Sequence, residues 1–220
     1  MLKKVIALIM CIIFVTVTAI SGSAWAFIGR KINGVPRKYI NGINGRSYWI
    51  NPGINWHDDI IVRAISSWNT TNSKFMFSRA TTQSWSVLDF HIREMNNDQA
   101  SAKTVYYGAK VNGQYPELKI TGVSGEGLFI MENWHWCEVI MNTSAKATGD
   151  FMYPKPNESE AQRKKRLEIK QGIYAHEIGH TAGLAHVQTQ RCIMYQGWNS
   201  RATIVPFTDD INGVVTLYGR

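Results

Sequence analysis

The chain has 220 residues, of which 45% are hydrophobic and 18% are charged, and its formal net charge is +8. This length suits one domain with a substantial core, and the absence of any internal repeat or low-complexity block excludes a repeat protein. The moderate positive charge is interpreted as serving solubility, although it would also suit anionic cell walls or acidic substrates. We expect a monomer with no nucleic-acid partner.

The first 26 residues have the features of a secretory signal peptide. Two lysines near the start precede an apolar run from Val5 to Ile20, and an A-x-A cleavage site ends at Ala26. Cleavage is favoured over an uncleaved membrane anchor because the run is short for a spanning helix. Loss of the two lysines lowers the formal charge from +8 to +6. The prediction is a secreted protein with no stable membrane insertion.

Residues 27–45 are predicted to be an extended N-terminal lead, and 46–220 are predicted to be one domain. Strands are predicted at 46–51, 74–78, 86–93, 103–111, 128–132 and 137–142 from their aromatic and β-branched content. A helix with Asn55 as its N-cap follows the first strand. Its apolar stripe is predicted to pack on the sheet and consists of Ile60, Ile61, Ala64, Ile65 and Trp68.

Two further helices are predicted towards the end of the chain. A charged helix at 158–170 has acidic residues before basic ones, which suits the helix dipole, and it leads towards His176. The last helix has Thr208 as its predicted N-cap, with two aspartates in its first turn. Its predicted buried stripe consists of Ile211, Val214, Val215 and Tyr218.

The most informative stretch is 176–186, which reads HEIGHTAGLAH. His176 and His180 are four residues apart, so a helix places both imidazoles on one face, where they can share a metal ion. Gly183 can take a positive φ, which ends the helix and brings His186 round as a third nitrogen ligand. Three protein ligands leave one position open, as catalytic zinc requires. Glu177 lies beside the metal and is predicted to accept a proton from water.

The HExxHxxGxxH pattern resembles that of the metzincin zinc endopeptidases, in which a methionine turn follows the motif. Met194 comes eight residues after His186, and the closing 207–219 segment is similar to the end of matrixin catalytic domains. The resemblance implies an α+β fold with a twisted, mainly parallel sheet, a backing helix, an active-site helix and a C-terminal helix. It also implies that Met194 lies beneath the ligands and that an edge strand, here 128–132, pairs with an extended peptide substrate.

Two cysteines, Cys137 and Cys192, remain after removal of the signal. An even number of cysteines in an exported protein predicts one disulfide, which would tie the methionine turn to the sheet. The alternative is two free, buried thiols.

The predicted function is a secreted zinc endopeptidase that acts on protein or peptide substrates and binds one catalytic zinc. Two alternatives stay open: a zinc-dependent amidase that acts on cell-wall peptide, and a zinc-binding module without catalysis. Calcium is possible, with Glu126 or Asp150 as contributors, but no EF-hand spacing occurs. The histidines outside the motif are interpreted as ordinary surface or packing residues, namely His57, His91 and His135.

Overall fold

A computed structural model describes residues 36–95, 100–119, 121–123, 127–130, 132–144, 151–187, 191–197 and 203–220. The predicted signal peptide and part of the predicted lead lie outside the described residues, as do Glu126 and Asp150. In the described ranges, no helix is both long and apolar enough to cross a membrane.

All of the described strands come before the last two helices of the chain, and six of these strands form one sheet. The elements in chain order are β1 (Arg46–Ile50), α1 (Asp58–Asn69), β2 (Phe77–Arg79), β3 (Leu88–Arg93), β4 (Ala102–Tyr107), β5 (Glu117–Leu118), β6 (Thr121–Val123), β7 (Gly127–Phe129), β8 (Trp136–Asn142), α2 (Glu160–Thr181) and α3 (Thr208–Tyr218).

The main sheet has the strand order β2-β1-β3-β8-β4-β5. The pairs β2–β1, β1–β3 and β3–β8 are parallel, whereas β4 runs antiparallel to both β8 and β5. Side chains alternate along β4, so Ala102, Thr104 and Tyr106 are buried while Lys103 is exposed. The predicted α+β fold with a mainly parallel mixed sheet is confirmed.

Helix α1 buries the predicted stripe, because all five of its apolar residues are less than 9% exposed. The Nε1 of Trp68 at the end of this stripe donates to the carbonyl of Ala175 on α2 at 2.8 Å, which ties the two helices together. The predicted N-cap at Asn55 is wrong. A 3-10 turn at Pro52–His57 comes first, and the Asn51 side chain caps it by accepting from the amide of Gly53 at 2.9 Å.

Helix α2 joins the predicted charged segment and the metal motif into one helix of 22 residues. A reciprocal capping box starts it: the Ser159 hydroxyl accepts from the amide of Gln162 at 3.3 Å, and the Gln162 side chain accepts from the amide of Ser159 at 2.8 Å. Helix formation is cooperative, so the capped first half of this helix also stabilises the second half, which bears the histidines.

Helix α3 has the predicted range but a different cap and a different buried face. The Asp210 carboxylate accepts from the amide of Phe207 at 2.8 Å, so Phe207 and not Thr208 precedes the first turn. Of the predicted stripe, Val214 is buried as expected, whereas Ile211, Val215 and Tyr218 are only partly covered. Leu217, which is not in the predicted stripe, is also buried.

The predicted substrate-binding edge at 128–132 is not an edge of the main sheet. Strand β7 pairs antiparallel with β6 in a separate two-stranded sheet. The outermost strands of the main sheet are β2 and β5, and β5 pairs with β4 only at Tyr106 and Tyr107, so the first part of β4 also lies at an edge among the described strands.

The predicted disulfide is wrong for this structure, because Cys137 and Cys192 are both free and buried. Cys137 lies on β8 between β3 and β4, where it hydrogen-bonds with the side chain of Tyr39. The Cys192 thiol instead faces Asp209, at 3.8 Å from its Oδ2. Burial raises the pKa of both cysteines, to about 12 for Cys192, so both thiols stay protonated and unreactive at neutral pH.

Candidate metal centre

The last two turns of α2 lie beneath β4, and hydrogen bonds from the sheet side hold them there. The Tyr106 hydroxyl donates to the carbonyl of His180 at 3.0 Å, and the Trp134 Nε1 donates to the carbonyl of Thr181 at 3.0 Å. Both acceptors belong to the final turn, where helix carbonyls lack partners within the helix. These contacts fix the part of the helix that carries His176 and His180, which are both buried.

Gly183 ends the helix as the motif predicts. Its φ of +96° is in the left-handed region, and its amide donates to the carbonyl of His180 at 2.8 Å. A side chain here would also meet Trp134 at 3.2 Å, so both backbone conformation and space favour glycine. The reversed chain then brings His186 back towards the helix.

The three histidines of the motif converge on one point. The Nε2 atom of His186 lies 3.2 Å from the Nε2 of His180 and 3.2 Å from the Nε2 of His176. Tetrahedral zinc with ligand bonds of 2.0–2.1 Å would separate its nitrogen ligands by about 3.3 Å. The ring positions therefore fit a zinc ion, and in the described residues this triad is the one His, Cys, Asp or Glu group arranged to hold a metal.

Main-chain carbonyls orient two of these rings. The Nδ1 of His176 lies 2.7 Å from the carbonyl oxygen of Ile193, and the Nδ1 of His180 lies 2.7 Å from that of Leu184. A carbonyl only accepts, so each Nδ1 carries the proton and each Nε2 presents a lone pair. An imidazole binds a metal ion through an unprotonated nitrogen, so these two rings are in the tautomer that a metal site requires.

Met194 lies directly under the histidine helix, as the resemblance implied. It is buried, and its Sδ occupies the space that a Cβ on Gly179 would need. The glycine between the two helical histidines therefore allows the methionine turn to approach the helix backbone.

Asp210, on α3, holds the methionine turn in place. Its Oδ2 accepts from the amide of Ile193 at 2.8 Å, and its Oδ1 accepts from the amide of Met194 at 3.2 Å. The carbonyl of Ile193 also accepts from the Nδ1 of His176, so Ile193 connects Asp210 to the metal centre. Sequence reasoning assigned Asp210 only to the helix dipole, since nothing local marks a contact with a loop 17 residues away.

Glu177 is buried beside the triad, and its partner on the sheet was not foreseen from the sequence. The Thr104 Oγ1 lies 2.8 Å from the Oε2 of Glu177 and 3.0 Å from its main-chain oxygen. The carboxylate therefore has a defined hydrogen-bonding partner on β4, in addition to its position next to His176.

The remaining histidines lie apart from the triad. His57 is fully buried, with its Nδ1 2.7 Å from the Tyr174 hydroxyl and its Nε2 3.0 Å from the Nζ of Lys170. His91 faces Glu138 on the other side of the sheet, at 3.4 Å. Neither belongs to a metal-binding group of the described residues, and the packing interpretation of His57 agrees with its contacts.

His57 is expected to make stability depend on pH below neutrality. Burial, with the charges of Lys170 and Arg166, lowers its pKa from 6.5 to about 3, so only the unfolded chain takes up its proton between these values. The contribution of His57 to the free energy of unfolding is fully present above pH 6.5 and is lost progressively as pH falls towards 3. At pH 5 we expect a loss of about 2 kcal/mol relative to pH 7.

Urea unfolding of the zinc-loaded protein at pH 7 and pH 5 measures this effect. His57→Gln is the matched variant, because its side-chain carbonyl can still accept from Lys170 but does not titrate. The variant should lose clearly less stability than the parent between the two pH values. An equal loss in both proteins would show that other groups cause the pH dependence.

Comparison with known families agrees with this geometry. Residues 54–219 match the family model described as Matrixin, which covers α1, the sheet from β2 onwards, the histidine triad and α3.

Proposed function

The chain belongs to the matrixin family of metalloproteases, and from this premise we propose that it is a secreted, zinc-dependent endopeptidase. The observation that supports this most directly is the convergence of three imidazole Nε2 atoms next to the buried carboxylate of Glu177. His176, His180 and His186 would hold the zinc, since a set of three neutral imidazoles suits this ion. Bound zinc would supply Lewis-acid activation of water and of the scissile carbonyl.

Glu177 is the proposed general base. Its carboxylate accepts a proton from the attacking water and then gives it to the nitrogen of the leaving amine. This carboxylate is buried, and its Oε2 lies 2.8 Å from the hydroxyl of Thr104. Glu177 is not itself needed to bind zinc, so its presence favours hydrolysis over a binding module that only holds the metal.

The exposed edge of β4 is the proposed place for the substrate. A peptide in extended conformation would add a strand along Ala102–Val105, which pairs on its other side with β8. Main-chain hydrogen bonds of this kind bind peptides of many sequences, so they favour an endopeptidase that acts on unfolded or extended segments.

Cleavage of a peptide library by the purified mature protein tests the proposal. We expect cleavage of internal peptide bonds, loss of cleavage with a zinc chelator, and recovery when zinc is added back. Elemental analysis should find about one zinc per chain. Release of products from purified cell-wall material but not from casein would favour the amidase, and zinc binding without any hydrolysis would favour the binding module.

A further inference from the structure

Thr104 is the one side chain of β4 that reaches the carboxylate of Glu177 among the described contacts. It is 8% exposed and lies in register with Val139 on β8, well inside the sheet. Its hydroxyl is 2.8 Å from the Oε2 of Glu177 and 3.0 Å from the main-chain oxygen of the same residue. The two residues are 73 positions apart in sequence, so this contact depends entirely on how β4 packs on α2.

The chemistry of a threonine hydroxyl suits the control of a carboxylate. It has one hydrogen to donate, and a hydrogen bond to an ionised carboxylate is stronger than one to a neutral carbonyl. Threonine has few side-chain rotamers, and strand pairing holds its backbone, so the direction of the hydroxyl is set before any substrate binds. Fixing one carboxylate oxygen fixes the plane of the group, and therefore the direction of the other oxygen.

We propose that Thr104 is a positioning residue for the reaction, which holds the carboxylate of Glu177 in the orientation that proton transfer requires. The inference rests on the proposed endopeptidase function and adds a residue to it. When the other oxygen of Glu177 carries the proton, Oε2 is a carbonyl oxygen that still accepts from the Thr104 hydroxyl, so the contact is kept. The orientation is thus maintained throughout the cycle.

Thr104→Val tests this role because valine keeps the shape of threonine and lacks the hydroxyl. We expect kcat to fall by roughly 10- to 100-fold, which is typical when an orienting partner is removed. KM should change little, because the proposed substrate contacts of β4 are made by its main chain and the Thr104 side chain is buried, and zinc content and zinc affinity should match the parent. Thr104→Ser should recover most of the lost kcat, because serine restores the hydroxyl.

Tyr106→Phe is the matched control for a lost hydrogen bond between β4 and α2. Tyr106 lies two residues after Thr104 on the same strand, and its hydroxyl donates to the main-chain oxygen of His180 at 3.0 Å. If Thr104 only anchored the helix, both variants would lower the melting temperature and kcat to similar extents. If Thr104 positions the carboxylate of Glu177, Thr104→Val should lower kcat much more than Tyr106→Phe does, although both variants change the melting temperature to a similar extent.

A double-mutant cycle with Glu177→Ala separates this inference from the proposed function. In the Glu177→Ala background, Thr104→Val should cause no further loss, because the group that it positions is gone. Parental kcat in Thr104→Val, or an equal loss in both backgrounds, overturns the role of Thr104 and leaves the endopeptidase proposal intact. A Glu177→Ala protein as active as the parent overturns the roles of both Glu177 and Thr104, and a parent that cleaves no peptide overturns the endopeptidase proposal as well.

Discussion

Replacing Glu177 with alanine is expected to lower kcat by about 10²- to 10⁴-fold while zinc content stays at the parental level. The carboxylate is next to His176 in the chain, but the zinc ligands in our proposal are imidazoles alone. Losing Glu177 removes the proton acceptor and leaves the three rings in place, with His176 and His180 on their carbonyl partners. KM should change little, since Glu177 is buried and forms no part of the β4 edge.

His180→Ala is the informative comparison, because it removes a proposed ligand. Zinc content and activity should be lost together in this variant, whereas Glu177→Ala should lose activity alone. Steady-state kinetics and elemental analysis on both proteins measure the difference. A zinc-loaded Glu177→Ala protein that cleaves a good peptide at the parental rate would refute the proposed mechanism.

Replacing Asp210 with alanine should destabilise the protein by several kcal/mol. The carboxylate accepts hydrogen bonds from the buried amides of Ile193 and Met194, and from the amide of the half-exposed Phe207. Each amide left without a partner costs roughly 1–3 kcal/mol. Because Ile193 also orients His176, we further expect weaker zinc binding.

Asp209→Ala is the matched control for this prediction. Asp209 is the preceding residue, is partly exposed and makes only a long contact with the Cys192 thiol. Urea unfolding with zinc bound and with zinc removed should show a much larger loss for Asp210→Ala in both states. Similar losses in the two variants would mean that the charge at the start of α3 matters, and not the bonds to the methionine turn.

The proposed metal ligands were predictable from the sequence because their geometry is local. A helix brings His176 and His180 to one face, and Gly183 allows the turn that returns His186. The stripe of α1 was predictable for the same reason, since a helical period is visible within a dozen residues. The buried face of α3 was predicted less well, because several of its faces are apolar and only packing selects one.

The states of Cys137 and Cys192 could not be derived from their number. The even count suggested a disulfide, but the sheet places Cys137 beside Tyr39 and the turn places Cys192 beside Asp209. A disulfide requires two Cβ atoms at a specific separation and orientation. Strand order sets that separation, and composition carries no information about it.

The sequence by itself determined the metal-binding motif and the family resemblance, because both depend on spacings within a short stretch of chain, and the resemblance in turn implied the α+β class. Only the tertiary structure decided which distant groups contact these residues, namely Thr104 against Glu177 and Asp210 against the methionine turn. These contacts join residues that are distant in sequence, and they form only when β4, α2 and α3 pack together. Their partners follow from the order of strands and the rotation of helices, which no local pattern specifies.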